Sequence, residues 1–521
     1  DPFGVLVQLG PAGAAAHEPE LQHWWTPVRD DVYQQEIGYQ IALDRPVHVV
    51  AVYQGAAYAG MTDGIQRVAD FATLEPVPGA PEKDIERLVT AGGALWAITD
   101  DALYRMADGQ WTRIAEGAFL DVVEWGGKPL VVDAAGIAPV DGGALGTPLA
   151  FPEDRGPILA AAAHLENIYF ASEKGLTIWD GQTFLAKGAL EFGVLPEGKI
   201  NALASAGSRL VVATDAGLGI LRGSAGVTVF GADGLPYEDL TCAATGFNRG
   251  FWLGTPVGAI RWLNGSYDYF QGQRWLPNDL VHAIACGEHA VYFATDGGLG
   301  IIDYEPYTLE KKAAYMERHL TEWGQRRGSF VHKLFYNSKE KEWMREVSDN
   351  DVGYSTQYWS AQAFKYAATG DPVAHDRAVK AFKTMKCTEE MTGIDGFMAR
   401  SLWYKDDVGI KAQHGSGGLP AEWHPSKTEP DWEIKADTSS DEVAAQFYYA
   451  SVFHDLVAND EEKKLVADHI GRIASYIVRN GFRLLDYDGQ PTRWGRWDQE
   501  YYASSFEGHE ERPLSSLEIL G

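Results

Sequence analysis

The chain has 521 residues, more than one ordinary domain, and a formal net charge of −29. That charge repels phosphate backbones and argues against a nucleic acid partner, and no run of about eighteen apolar residues is present to span a membrane as a helix. The three cysteines, Cys242, Cys286 and Cys387, read as small buried hydrophobes rather than a disulfide framework, so they leave the compartment open.

Residues 1–34 read as an N-terminal extension, opening on Asp1-Pro2-Phe3-Gly4 as a mature or trimmed start without a secretory signal would. From 35 to 306 one short pattern recurs seven times, its anchors 34 to 42 residues apart. The anchors are Tyr58, Trp96, Leu130, Tyr169, Val211, Trp252 and Tyr292. Three positions on stands a small or hydroxyl residue (Thr99, Ser172, Thr214, Thr255 and Thr295 in five of the copies), then usually a Gly at the sixth and an aliphatic residue at the seventh. A strand such as Tyr292–Thr295 has both faces covered by neighbours, and the Gly supplies the positive φ of a tight turn into the next strand. One such unit cannot bury its faces alone, whereas a ring can, and a period near forty is that of a four-stranded blade. The expectation is a seven-bladed β-propeller over 35–306. The copies resemble the repeats of two-component-regulator-type propellers, which carry similar W-A-T-D-x-G-L segments; the resemblance implies an architecture and leaves the function open.

The glycine-punctuated pattern stops near Pro306, and 307–521 reads as a helical domain. Tyr358, Ala361, Phe364 and Ala368 recur at helical spacing up to Gly370-Asp371-Pro372, and Ala378, Phe382 and Met385 mark the next helix. A second pair follows, from about Ser440 to Val457 and from an Asn459-x-x-Glu462 capping box through Val466, Ile470, Ile473 and Ile477 to Asn480-Gly481. Antiparallel helix pairs without heptads fit an α/α toroid. The fold class expected is therefore multidomain, all-β followed by all-α. Ala367–Val373, the Ala436-Asp437-Thr438-Ser439-Ser440-Asp441-Glu442 stretch and the run from Arg479 to Trp497 carry a similarity to the six-hairpin glycosidase and lyase superfamily, as in bacterial propeller-plus-toroid proteins. That similarity implies action on carbohydrate and a secreted, extracellular or periplasmic location. Leu514–Leu520 looks like a helix just beginning where the sequence stops. The toroid is thus expected to be incomplete, to be closed by an oligomer or second chain, or to belong to a longer protein.

Candidate chemistry concentrates in this half. Asp437, Asp441 and Glu442 are acid/base candidates for glycoside hydrolysis, in which one carboxyl protonates the leaving oxygen and another activates water or attacks. The same residue types suit a helix N-terminus, where Thr438 or Ser439 would cap and the acids would answer the dipole. Asp349 and Asp351 stand before another helix with the same two readings, and helix starts that converge on one rim would set them opposite Asp437 and Asp441. Trp494, Arg496 and Trp497 offer rings for sugar faces and a fork for a uronate carboxylate, or simple packing. His424 in a long loop, with Arg400 and Tyr501, has the parts for elimination at a uronic acid, the second reaction considered.

No cofactor is identified. Asp486-Tyr487-Asp488-Gly489 begins like a calcium loop but lacks the later ligands, and a β-turn between short strands explains it better. The expected function is a secreted carbohydrate-active protein hydrolysing a polysaccharide. The alternatives are a uronate lyase or a non-catalytic extracellular glycan-binding or filament scaffold.

Overall fold

The structure is a computed structural model that describes residues 29–141, 143–152, 156–187, 195–223, 225–327, 329–331, 333–347, 350–411 and 422–520. Two compact units divide the described residues, Val32–Thr308 and a second built from Leu309 onward with residues 29–31.

The first unit is a β-propeller. Among the described residues its strands form seven separate antiparallel sheets, six of four strands and one of five. The first strands of successive sheets pack side by side in chain order, and that of the last returns to that of the first. All seven of these strands line one central cavity of about 330 Å³, from Val49 and Val50 in the first sheet to His282 and Ile284 in the last. Every repeat anchor falls on the second strand of its sheet, as Trp96 does on Ala94–Ile98 and Trp252 on Phe251–Thr255. The ring closes by borrowing. Tyr33–Ala42 pairs with Gly298–Tyr307, so the earliest strand completes the sheet made by the last three.

The hydroxyl three positions after the anchor staples the turn. The Oγ1 of Thr214, Thr255 and Thr295 donates at 2.8 Å to the carbonyl of the glycine three residues on. Each hydroxyl is buried, so this bond satisfies a group that would otherwise be costly to enclose. Gly298 shows why the following position is glycine: at φ 120° its missing Cβ would lie 2.1 Å from the Ile41 carbonyl oxygen. The three cysteines are free thiols, and burial pushes Cys286 up to about 12.

The second unit contains seven α-helices among the described residues: α1 (Leu309–His319), α2 (Asp351–Thr369), α3 (Pro372–Glu390), α4 (Ser440–Leu456), α5 (Asp460–Arg479), α6 (Gln499–Ser504) and α7 (Phe506–Leu520). Helices α2 and α3 turn back on each other through Gly370 in the left-handed region, with Asp371 capping α3 by accepting the Val373 N–H at 2.9 Å. Helices α4 and α5 form a second pair, and α5 opens on the expected box: Asn459 accepts the Glu462 N–H at 3.0 Å while Glu462 accepts the Asn459 N–H at 3.0 Å. Their core joins Trp359, Phe382, Met385, Tyr449, Phe453 and Ile473.

The buried face of α2 differs from the expected stripe. Phe364 is 43% exposed, whereas Trp359, Ser355, Ser360 and Gln362 are buried. Polar partners turn the helix this way: Trp359 Nε1 donates to the Ser329 carbonyl at 2.8 Å, and Ser355 Oγ accepts the Val331 N–H at 3.0 Å. The Asp486–Gly489 stretch is a turn between strands Arg483–Leu485 and Pro491–Arg496, closed by the Gly489 N–H on the Asp486 carbonyl at 2.9 Å. No described helix is long and apolar enough to cross a membrane.

Candidate functional site

The N-termini of α2 and α4 meet, and most of the acidic candidates gather where they do. Glu442, in the first turn of α4, accepts the N–H of Gly353, in the first turn of α2, at 3.0 Å. It thereby caps the neighbouring helix, supplying a partner for one of that helix's orphan donors and a negative group for its positive end. Asn350, just before α2, donates from Nδ2 to Asp441 Oδ2 at 2.6 Å, and Ser439 donates its hydroxyl to the other Asp441 oxygen. Ser439 stands at the N-cap but makes no side-chain cap bond; its hydroxyl is turned to Asp441 instead.

Asp351 and Glu442 are both 0% exposed. Asp351 is held by the Arg326 guanidinium and by the Ser401 hydroxyl at 2.7 Å. Burial nevertheless lifts its carboxyl above the usual range, with Arg326 pulling the other way. Glu442 is pushed well above the ordinary glutamate value, first by burial, while the Gly353 N–H and Arg400 pull it back and Asp441 and Asp351 add to the rise. Its Oε2 is enclosed without a hydrogen-bond partner. Burial thus makes Glu442 hold its proton more tightly than an exposed glutamate does.

Asp437 has a different environment. Its backbone is left-handed at φ 54°, its Oδ2 is clamped by Arg493 Nε at 2.7 Å, and its Oδ1 accepts the Arg493 N–H at 2.8 Å. Arg493 also reaches Glu422 at 2.8 Å, and Glu422 faces Lys435 at 3.5 Å. Arg400, itself buried, donates to the Asp437 carbonyl at 2.8 Å and to the Asn350 side chain. Asp441 is the one acid of this set that is exposed. Asp349 lies outside the described residues.

The other candidates sit apart from this network or at its edge. His424 stacks flat on Tyr487, ring centres 4.9 Å apart, and lies close enough to Asp486, an acceptor for the Asp437 N–H, to act on its charge. Trp494 is half-buried on its strand; Arg496 is paired with Asp498 at 3.1 Å and lies 4.7 Å over the Tyr501 ring. Trp497 is buried, donates from Nε1 to Glu518 at 2.7 Å, and lines an apolar groove of about 490 Å³ with Phe447, Tyr448 and Phe482. Tyr501 is buried as well. Among the described residues no three His, Cys, Asp or Glu side chains are grouped to hold a metal.

Sequence reasoning missed Arg326. It is 4% exposed, bridges Asp351, Ser401 Oγ and the Leu402 carbonyl, and carries no local motif by which it would be found. It also missed a cavity of about 460 Å³ between the last two sheets of the propeller, floored by Trp252 and walled by Phe247 and Tyr304. Those two walls meet edge to face at 5.1 Å. Beneath them Arg261 is fixed by Glu36, by Asp268 at 2.7 Å and by the Tyr304 hydroxyl at 3.0 Å, while Gln34, Asn248 and His289 stand exposed at the mouth.

No protein-family model matches the chain, and no curated protein sequence matches it. Among solved structures, virginiamycin B lyase from Staphylococcus aureus is similar at 13% identity and TM-score 0.42, covering 52% of this chain and 99% of that one. The extracellular domain of a putative hybrid two-component system from B. thetaiotaomicron is similar at 13% identity and TM-score 0.44, with 60% of this chain and 46% of that one covered. PorZ, a surface component of the type-IX secretion system of Porphyromonas gingivalis, is similar at 10% identity and TM-score 0.39, over 59% of this chain and 46% of that one. Likeness at this level assigns no function to the chain.

Proposed function

We propose that this is an extracellular carbohydrate-binding protein, a seven-bladed propeller followed by a helical domain of the α/α-toroid type, and that the cavity between the sixth and seventh blades takes the sugar. The observation that carries the reading is the composition of that cavity: an aromatic lining over a fixed arginine, with an exposed polar mouth. Rings accept the C–H face of a pyranose, and the polar rim answers its hydroxyls. The acids expected to cleave a glycosidic bond do not present themselves in the same way. Asp351 and Glu442 are enclosed, and Asp437 is held in a clamp.

Hydrolysis remains the second reading on one specific observation. Burial raises the Glu442 carboxyl well above the ordinary glutamate value, and the exposed Asp441 is its neighbour in sequence, an asymmetry of the kind an acid/base pair requires.

A panel of neutral and uronic polysaccharides separates the two. The expected result is binding without new reducing ends or unsaturated uronate, with Phe247→Ala weakening affinity about tenfold and Asp441→Asn leaving it unchanged. Failure of every glycan to bind overturns the reading. Reducing ends that vanish in Asp441→Asn overturn it in favour of hydrolysis.

A further inference from the structure

The loop that borders this cavity also presents an arginine to the neighbouring blade. Phe247, Asn248 and Gly250 line the cavity, while Asn248 and Arg249 between them adopt left-handed backbone at φ 52° and 63°. This turns Arg249 onto Gly207, so closely that a Cβ there would meet its side chain at 3.3 Å. Two more arginines stand at the same end of that blade. Leu210 pairs with Leu221, so Arg209 and Arg222, one residue further out on each strand, face each other across the ladder. Like charges directly opposite destabilise a sheet. Among the described residues none of the three has an aspartate or glutamate partner, in a chain where 73 acids outnumber 44 bases.

Arg209 is also aimed. Its guanidinium lies 4.5 Å over the indole of Trp262, which is stacked on Phe251 at 5.2 Å and 7°, and its Nε is enclosed without a partner. Partial burial and the charges of Arg222 and Arg249 hold it below the ordinary arginine value. The stack fixes the plane of the fork, which suits a planar carboxylate better than a mobile lysine would. Trp262 itself borders the sugar cavity, so the stacked arginine and the cavity share one side chain.

We propose that Arg209, Arg222 and Arg249 form an anion subsite that selects a carboxylate-bearing sugar, a uronic acid residue of the glycan held in the adjoining cavity. This rests on the glycan-binding reading above.

The test is titration of the full chain with oligogalacturonates and with the same oligomers after reduction of their carboxyl groups, by calorimetry. Arg222→Gln and Arg249→Gln alter exposed side chains and are expected to fold normally, as thermal unfolding will show. Each is expected to weaken binding of the uronate oligomers about tenfold and to leave the reduced oligomers unaffected. Arg209→Lys, which keeps charge but loses the fork, is expected to weaken the uronate form alone. Equal affinity for both oligomers, or uronate binding insensitive to all three variants, overturns the subsite while leaving the glycan reading intact. Binding of a sulfated neutral oligomer as tight as the uronate, and equally sensitive to the variants, overturns the carboxylate assignment. No binding of either oligomer overturns both.

Discussion

Substituting Glu442 by glutamine distinguishes an anchoring acid from an ionised one. Glutamine preserves the shape and keeps an oxygen for the Gly353 N–H, now taken at 3.0 Å, while the partnerless Oε2 becomes an amide nitrogen. The native carboxyl is raised above its ordinary value of 4.5. The folded chain therefore holds a proton that the unfolded chain releases as the pH climbs past that value. This contribution to stability is fully present below the unfolded pKa and is lost as pH rises toward the native one, at up to about 1.4 kcal/mol per pH unit. Glutamine has no proton to lose. Urea unfolding of wild type and Glu442→Gln, followed by helical circular dichroism as the pH is raised above 4.5, is expected to show the difference moving in the variant's favour. Parallel curves would refute the reasoning. A variant weaker by about 3 kcal/mol at every pH would mean an ionised Glu442 paired with a cation, Arg400 being the one that acts on it.

Glu389 carries the opposite sign. Burial alone would raise it, but Arg472, His469 and the Gly396 N–H outweigh burial and bring it down to about 2. Its stabilisation, about 3 kcal/mol from the shift, is present above the unfolded glutamate pKa and lost as pH falls toward about 2. Glu389→Gln should remove most of the acid sensitivity of the helical signal in a pH titration, and an unchanged acid midpoint would count against the network. In the propeller, Gly298→Ala should cost about 3 kcal/mol or more, since the added methyl strikes the Ile41 carbonyl of the ring-closing strand. Gly265→Ala, also at positive φ but with open space around it, should cost about 1 kcal/mol. Similar melting shifts for the two would contradict that account.

The propeller was legible because its signal is local and repeated. Anchor, hydroxyl and glycine all act within one strand and one turn, so Thr295 and Gly298 do in the structure what spacing alone implies. The closing strand was less legible: Tyr33 and Gln34 were read as extension, because their partners Tyr307 and Pro306 lie at the far end of the propeller. Helix α2 shows how periodicity misleads. Hydropathy treats Ser355, Ser360 and Gln362 as solvent-facing, yet they are buried with Trp359, and the stripe is displaced accordingly. Hydrogen-bond partners distant in sequence, such as Ser329 for Trp359, decide that orientation.

The acidic rim was foreseen in residue identity but not in state. Asp437, Asp441 and Glu442 read equally as cap or catalyst, because both roles want carboxylates at a helix start. What separates the roles is where each side chain ends, and that is set across the fold. Glu442 caps α2 rather than its own helix, Asp351 is met by Arg326, and Asp437 is met by Arg493. Two abutting helix N-termini concentrate partial positive charge, and that is what lets acids be enclosed here in a chain already at −29. A catalytic carboxyl must instead leave one oxygen reachable from solvent. Only Asp441 among these acids is exposed, so chemistry at this rim depends on a motion that uncovers Glu442, whereas the propeller cavity is open as it stands.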